Sequence, residues 1–273
     1  MKFLELINYL DREFPKSLSI PGDADGVDVC IDWDLEIGRV LIALDVSFEV
    51  IDYAARHGYN CIISHHAVIS EPLQKLDLSS SAAKKAVMLA KNNICSAAFH
   101  TRLDCVAGGV NDSLIKALGI AGEGTEDLLY KPLNASPVPI GRIVNLRVGT
   151  DLEPFIGGIK KSLKNFYKKE FSCDASFDVS CAKGRGSIKK IGIVGGSGMF
   201  FAKTAAASGC DTFFTGEGKY HDILEIYESF GINIITAGHF ETEAVVLPFI
   251  KQKISEGFKK SAADCFIGGP QQP

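Results

Sequence analysis

Short apolar runs alternate with segments of helical period along most of this 273-residue chain. Runs typical of buried strands include 39–46 (RVLIALDV), 61–64 (CIIS) and 94–99 (ICSAAF), and apolar residues at helical spacing occupy 81–93 and 111–119. Because parallel strands need a long crossover connection, usually a helix, such alternation favours parallel pairing. The pattern therefore predicts an α/β fold, in which helices cover both faces of a mostly parallel sheet.

The alternation returns in the second half of the chain, with predicted strands at 142–148, 190–196, 211–216 and 232–238. Between the two halves, residues 121–139 contain Gly, Pro, Asn and Ser among few periodic apolar positions. This composition indicates a junction between two domains.

Charge and cysteine content exclude several classes of protein. With 29 Lys and Arg against 33 Asp and Glu, the net charge of −4 gives no overall preference for nucleic acid or anionic membranes. The sequence contains no run of about 18 apolar residues that would span a membrane. Eight cysteines without a Cys-x-x-Cys pair, behind an acidic amphipathic N-terminus, predict reduced thiols in a cytoplasmic protein.

Most of the six histidines follow predicted strands. His65 and His66 come directly after CIIS, His100 ends the next strand, and His239 follows the run at 232–238. In open α/β sheets, ligands bind beyond the carboxyl ends of the strands. The adjacent pair His65 and His66 therefore indicates a metal or catalytic site, with a hydrogen-bonded core histidine as the alternative.

Carboxylates stand near these histidines. Asp104 lies four residues after His100, where it could bind a metal or cap the next helix. Glu243 lies four residues after His239 in GHFETE, so a helix here would place both side chains on one face. The alternative for this pair is a capping acid beside a polar histidine.

Counting these side chains gives three imidazoles and two carboxylates: His65, His66, His239, Asp104 and Glu243. One zinc ion takes only three or four protein ligands. Five ligands suit two metals about 3.5–4 Å apart, an arrangement that activates water for hydrolysis. Mixed nitrogen and oxygen ligands suit Zn, Mn, Fe or Ni and do not discriminate among them.

Five segments in this order, CIISHHAVI, FHTRLDCVAGGVND, IGIVGGSG, TGEGKYHD and GHFETE, resemble the Nif3-like family (NGG-interacting factor three-like). That family is also known as GTP cyclohydrolase I type 2. The resemblance spans about residues 27–250 and implies that the same five side chains bind two divalent metals. It further implies two intertwined three-layer α/β domains, a metal site in the cleft between them, and a homo-oligomer, often a hexamer.

On this basis we expect a first domain at 1–125 plus 232–273, carrying most of the ligands, and a second at 126–231. The expected function is a dinuclear metal-dependent hydrolase, acting like GTP cyclohydrolase I type 2 on a nucleotide or a phosphorylated small molecule. Glu217 and His221 are the candidates for proton transfer, although a solvated loop explains them equally well.

The alternative function is a non-catalytic metal-binding protein that regulates, or that binds protein or nucleic acid. Lys160, Lys164 and Lys168 form a basic stripe on a predicted helix, a pattern that is more often a solvated face.

Two further features bear on the substrate. Arg102 stands where the family tends to have Asn, and it could recognise a phosphate or pair with a surface acid. The glycine-rich turn Gly195–Gly198 follows a predicted strand, so its N–H groups could hold a phosphate, or it is only a tight turn.

Overall fold

The structure is a computed structural model that describes residues 1–133, 135–174, 176–259 and 262–267. The chain forms two compact units. The first unit contains Met1–Leu103 and Leu247–Pro273, and the second contains Asp104–Val246. Each unit combines helices with one mixed sheet, which confirms the predicted α/β class.

The strands of the described residues are β1 (Gly26–Val29), β2 (Arg39–Ala43), β3 (Cys61–Ser64), β4 (Cys95–Ala98), β5 (Gly122–Tyr130), β6 (Val138–Thr150), β7 (Ser180–Ala182), β8 (Ile188–Val194), β9 (Thr212–Thr215), β10 (Asn233–Thr236) and β11 (Ala262–Phe266). The α-helices are α1 (Phe3–Glu13), α2 (Phe48–Arg56), α3 (Ser81–Lys91), α4 (Thr101–Cys105), α5 (Val110–Leu118), α6 (Leu152–Phe171), α7 (Ala202–Ala207), α8 (Tyr220–Phe230), α9 (His239–Glu243) and α10 (Leu247–Gly257). Short 3-10 turns occupy Lys16–Leu18, Gly198–Phe201 and Ala244–Val246. None of the helices in these described ranges combines the length and the apolar character that crossing a membrane requires.

The first unit has a five-stranded sheet in the order β1-β4-β3-β2-β11. All neighbours pair in parallel except β1, which runs antiparallel to β4. The register aligns Ser64 at the end of β3 with Ala98 at the end of β4. Residues that follow these two strands therefore emerge side by side at one edge of the sheet.

The second unit has a six-stranded sheet in the order β5-β6-β8-β9-β10-β7. Its three strands β8, β9 and β10 are parallel, while β5, β6 and β7 pair antiparallel with their neighbours. Val194, Thr215 and Thr236 are in register at the ends of the parallel strands. The three turns that follow them lie at the same edge.

Several helix ends follow the sequence signals. The Ser80 hydroxyl accepts a hydrogen bond from the Ala83 N–H at the start of α3, as expected of a serine N-cap. Gly119 ends α5 with a φ of 67°, a left-handed conformation that glycine adopts without steric cost.

The unit boundaries differ from the predicted domain boundaries, because residues 104–125 and 232–246 belong to the second unit. The segment 121–139, predicted as a junction, instead contains β5, which pairs with β6. As an exposed strand at the edge of its sheet, β5 buries only Leu128, so it lacks the apolar alternation of a half-buried strand. The first boundary falls inside α4, where the sequence has neither Gly nor Pro.

The cysteines differ strongly in environment, which predicts an order of reactivity. Burial raises the pKa of the Cys61 thiol well above its usual range. Burial also raises the pKa of Cys210, to about 11. Cys181 is exposed. Since the thiolate is the reacting species, we expect a thiol reagent at pH 7 to modify Cys181 first and Cys61 and Cys210 only after unfolding. Peptide mapping by mass spectrometry measures this order, and early labelling of Cys61 would contradict it.

Candidate metal centre

Three histidines lie together at the carboxyl ends of β3 and β4. His65 and His66 directly follow β3, and His100 lies two residues beyond β4. One ring nitrogen of each lies within 4.8 Å of one ring nitrogen of the others. His65 is fully buried, while His66 and His100 are half-buried. The parallel register of the two strands therefore creates a three-histidine cluster within the first unit.

The rings of His65 and His66 are oriented by acceptors on Nδ1. His65 Nδ1 lies 3.1 Å from the Phe99 carbonyl oxygen, and His66 Nδ1 lies 2.8 Å from Asp45 Oδ1. A carbonyl oxygen or an ionised carboxylate can only accept, so Nδ1 carries the proton in each ring. In the neutral ring this tautomer places the lone pair on Nε2, the arrangement found in histidines that bind metals.

His100 is held in the same way. Its Nδ1 lies 2.7 Å from Asp23 Oδ1, and Asp23 Oδ2 accepts hydrogen bonds from both the N–H and the hydroxyl of Thr101. Burial raises the pKa of Asp23, but the hydrogen bonds from His100 and Thr101 outweigh burial and lower that pKa to about 2. Asp23 is therefore an anion near neutral pH and stabilises the Nδ1–H tautomer of His100.

The second unit presents a histidine and a glutamate on α9, as GHFETE predicts. His239 Nε2 lies 2.9 Å from Glu243 Oε2, one helical turn away. His239 Nδ1 lies 3.0 Å from Glu217 Oε1, in the turn after β9. A carboxylate thus fixes this ring too, which makes Glu217 the residue that positions His239.

Asp104 joins this pair within the second unit. A carboxylate oxygen of Asp104 lies within 4.8 Å of a carboxylate oxygen of Glu243. The Asn111 side chain donates to the Asp104 carbonyl over 3.0 Å and accepts from the Gly195 N–H over 3.0 Å. Asn111 is fully buried, so it ties the Asp104 backbone to the turn after β8 within the second unit.

Gly196 makes room for the Glu243 carboxylate. Its φ is +58°, and a Cβ at this position would lie 1.7 Å from Glu243 Oε1 and 3.3 Å from His239 Nε2. Any side chain would therefore displace a candidate ligand.

The three glycine N–H groups of the Gly195–Gly198 turn are hydrogen-bonded inside the fold, which favours the tight-turn alternative over phosphate binding. The Gly196 N–H donates to Thr242 Oγ1 and the Gly198 N–H donates to Thr215 Oγ1, each over 2.9 Å. These donors are already used inside the fold, and the turn serves the site through Gly196, whose lack of a side chain leaves space for Glu243.

Arg102 is not a surface residue facing a substrate. Its guanidinium is fully buried, with Nε 2.8 Å from both carboxylate oxygens of Asp25 and Nη1 2.6 Å from Asp11 Oδ1. Of the two alternatives for Arg102, the structure therefore favours pairing with acids. The pairing occurs in the core of the first unit and not at the surface.

The remaining candidates lie outside these clusters. His221 is exposed on α8 and hydrogen-bonds to no described residue. In the basic stripe, Lys164 pairs with Asp174 over 3.1 Å, and the neighbouring Lys169 pairs with Glu170 over 2.9 Å. Part of the positive charge of the stripe is therefore neutralised by neighbouring acids. The contacts of His221 give no support to the predicted role in proton transfer.

The sequence did not predict three residues at the three-histidine cluster. These are His100 as a possible ligand, and Asp23 and Asp45 as the acids that orient the rings of His100 and His66. A usable signal existed for two of them. Asp45 follows β2 and His100 follows β4, at the same sheet edge that brings out His65. Asp23 lies 77 residues from His100 in a loop, and no local pattern marks it.

Replacing Glu217 by glutamine is expected to weaken metal binding by roughly 10–100-fold, because the neutral amide holds the His239 ring less strongly. Competition with a chelating dye measures this affinity. Glu228→Gln, an exposed substitution on α8, is the matched control and is expected to behave as the wild type. An unchanged affinity in Glu217→Gln would show that the hydrogen bond to His239 has no role in metal binding.

Known proteins share this chain's sequence and fold. A Clostridium perfringens protein named "GTP cyclohydrolase 1 type 2 homolog" is 33% identical over 258 residues, which cover 94% of this chain and 92% of the relative. The crystal structure of a Staphylococcus aureus hypothetical protein is 27% identical with a TM-score of 0.81, covering 100% of this chain and 99% of that one.

The structure of a Bacillus cereus protein related to NIF3 has a TM-score of 0.82 at 21% identity, over 99% of this chain and 98% of that one, and so shows the shared fold. The sequence profile described as Duf34/NIF3 (NGG1p interacting factor 3) matches residues 1–269. The family expected from the five motifs is therefore confirmed, and the chain belongs to the DUF34/NIF3 family.

Proposed function

We propose that this protein is a metal-dependent hydrolase that uses two divalent metal ions. The proposed ligands are His65 and His66 of the first unit, and Asp104, His239 and Glu243 of the second. The observation that carries the proposal is the shared orientation of the histidines, whose Nδ1 atoms all face acceptors. A hydrogen bond of this kind is a usual companion of histidines that bind metals, and four instances favour a metal site over four core histidines.

The donor set fits such ions. Imidazole and carboxylate donors suit Zn, Mn, Fe or Ni, and the candidate clusters of the described residues contain no thiolate that would favour softer metals. In the first unit His100 is an additional candidate ligand beside the pair. The expected position of the metals in a cleft between the domains stays a prediction.

The chain's own side chains have distinct roles in this proposal. Two divalent ions, when bound, acidify water and stabilise negative charge on the oxygen of the group under attack. Asp45 and Asp23 keep the proton of His66 and His100 on Nδ1. Glu217 Oε1 holds His239, while Oε2 forms no hydrogen bond with a described residue and can take up a proton during hydrolysis.

The name of the relatives suggests the first substrate to test. They are named as homologues of GTP cyclohydrolase 1 type 2, so hydrolytic opening of the purine ring of GTP is the first reaction to assay. Hydrolysis of other nucleotides and of phosphorylated small molecules comes next. A homo-oligomer, in the family's hexameric form, belongs to the same proposal, and multi-angle light scattering measures it.

Metal content tests the proposal most directly. We expect plasma mass spectrometry to find about two divalent metals per chain in protein purified without chelator or affinity tag. His66→Ala is expected to lose metal, whereas His57→Ala is expected to keep it, because His57 is an exposed histidine outside the clusters.

Restoring the lost metal should restore turnover of any substrate that is found. A wild-type protein that contains no metal, and that binds none on titration, would overturn the proposal. The same result would exclude the alternative function, a non-catalytic protein that binds metal and has a regulatory role.

A further inference from the structure

A cavity of about 550 Å³ opens in the second unit beside the turn that follows β9. Its volume lies in the range of small-molecule binding sites and exceeds that of a single amino acid. Its lining includes Met199, Phe200, Glu217, Lys219, Asp222 and Ile226. None of these residues is among the proposed metal ligands.

One wall of the cavity is apolar. Met199 and Ile226 line the cavity and are buried, and Phe200 is 71% exposed. Methionine adapts its shape to different apolar groups, and an exposed aromatic ring offers a flat surface for packing. This wall therefore suits a small apolar side chain or ring.

The charged residues of the cavity fall into two classes. Lys203 and Glu225 neutralise each other, with Nζ 2.6 Å from Oε1. Lys219 and Asp222, at the start of α8, form no ion pair with any residue in the described part of the chain. One ammonium and one carboxylate are therefore available to an occupant.

The sum of these charges disfavours a polyanion. Three carboxylates and two ammonium groups line the cavity, which gives it a net charge of −1. A triphosphate would meet Asp222 and Glu217 with only Lys219 to compensate it. An occupant that carries both signs of charge matches the available pair better.

We propose that this cavity binds a zwitterionic small molecule with an apolar body, such as a free apolar α-amino acid. Lys219 binds the carboxylate, Asp222 binds the ammonium group, and Met199 with Phe200 packs against the apolar part. The inference goes beyond the proposed function and does not depend on it, because a free amino acid is neither a nucleotide nor a phosphorylated molecule.

Glu217 connects the cavity to the candidate metal ligands. Glu217 lines the cavity, and its Oε1 lies 3.0 Å from His239 Nδ1. An occupant therefore lies against the residue that positions His239, so binding in the cavity is linked to the candidate metal ligands of the second unit.

Calorimetric titration of the purified full chain tests the inference with three probes: L-leucine, leucinamide and N-acetyl-L-leucine. L-Leucine carries both charges, leucinamide only the positive one, and N-acetyl-L-leucine only the negative one. We expect L-leucine to bind at least about tenfold more tightly than either single-charge probe, because each of those probes forms only one of the two hydrogen bonds between charged groups.

Two variants assign the charges to their residues. Lys219→Met is expected to weaken L-leucine binding by about tenfold or more and to leave leucinamide binding unchanged. Asp222→Asn is also expected to weaken L-leucine binding by about tenfold or more, but to leave N-acetyl-L-leucine binding unchanged. Both residues are exposed, so the fold tolerates the changes. Lys168→Met, an exposed lysine on α6, is the matched control and should bind as the wild type.

Failure of this inference is distinguishable from failure of the proposed function. Absence of L-leucine binding at millimolar concentration, in a protein that contains two metals, would overturn the inference alone. Tight GTP binding that is lost in Lys219→Met would also overturn it, because the cavity would then be an anion site. L-Leucine binding in a protein without metals would support the inference and contradict the hydrolase.

Discussion

Gly196→Ala is expected to remove metal from the site proposed on the second unit. The new Cβ would lie 1.7 Å from Glu243 Oε1 and 2.6 Å from Glu243 Cδ, so the carboxylate has to move. The backbone adds to the effect, because a φ of +58° costs a residue with a Cβ about 1–2 kcal/mol. Glu243 is 4% exposed and its Oε2 lies 2.9 Å from His239 Nε2, so we expect movement of this carboxylate to disturb the pair.

Plasma mass spectrometry of the variant measures the result, which we expect to be one metal per chain or fewer. Gly186→Ala is the control, since a Cβ there meets no atom within 4 Å. Circular dichroism separates loss of metal from loss of fold. A folded Gly196→Ala protein with the full metal content would show that Glu243 is not a ligand.

The sequence predicted those parts of the candidate site that depend on local patterns. His65 and His66 follow a short apolar strand, and strand ends are where α/β sheets bind ligands. His239 and Glu243 are one helical turn apart, so a helix brings them together whatever the tertiary structure. Both relations are fixed within six residues of chain.

The parts that the sequence did not predict depend on distant contacts. Asp23 meets His100 across 77 residues, and Glu217 meets His239 across 22. Gly196 matters to the site only because the Glu243 carboxylate occupies the space that a side chain at position 196 would fill. No spacing rule identifies such pairs before the chain is folded.

The unpredicted strands have a similar explanation. β1 and β11 are the two edges of the first sheet, and β5 and β7 are the two edges of the second. An edge strand has one neighbour and often one exposed face, so it needs little apolar content. GEGTEDLLY reads as loop or strand by composition, and only its pairing with β6 settles the choice.

Arg102 shows how burial decides between two interpretations made from charge alone. An arginine near a proposed metal site could recognise a phosphate or pair with an acid, and its guanidinium is 0% exposed and bonded to Asp25, Asp11 and the Phe14 carbonyl. The guanidinium also lies 4.5 Å from the centre of the Phe99 ring. Those contacts give it a structural role beside His100, whose N–H donates to Asp25.

Arg102→Met is therefore expected to destabilise the first unit by about 3–5 kcal/mol, because it leaves two carboxylates without their buried cation. Arg56→Met removes an exposed pair with Asp52 and is expected to cost about 0–1 kcal/mol. Trp33, the single tryptophan, stacks on Phe3 within the first unit, so its fluorescence reports urea unfolding where Arg102 lies. The midpoint should fall sharply in Arg102→Met and stay near that of the wild type in Arg56→Met. If Arg102→Met instead unfolds like the wild type but no longer processes a phosphorylated substrate, the arginine contacts that substrate, and the buried geometry does not describe the working state.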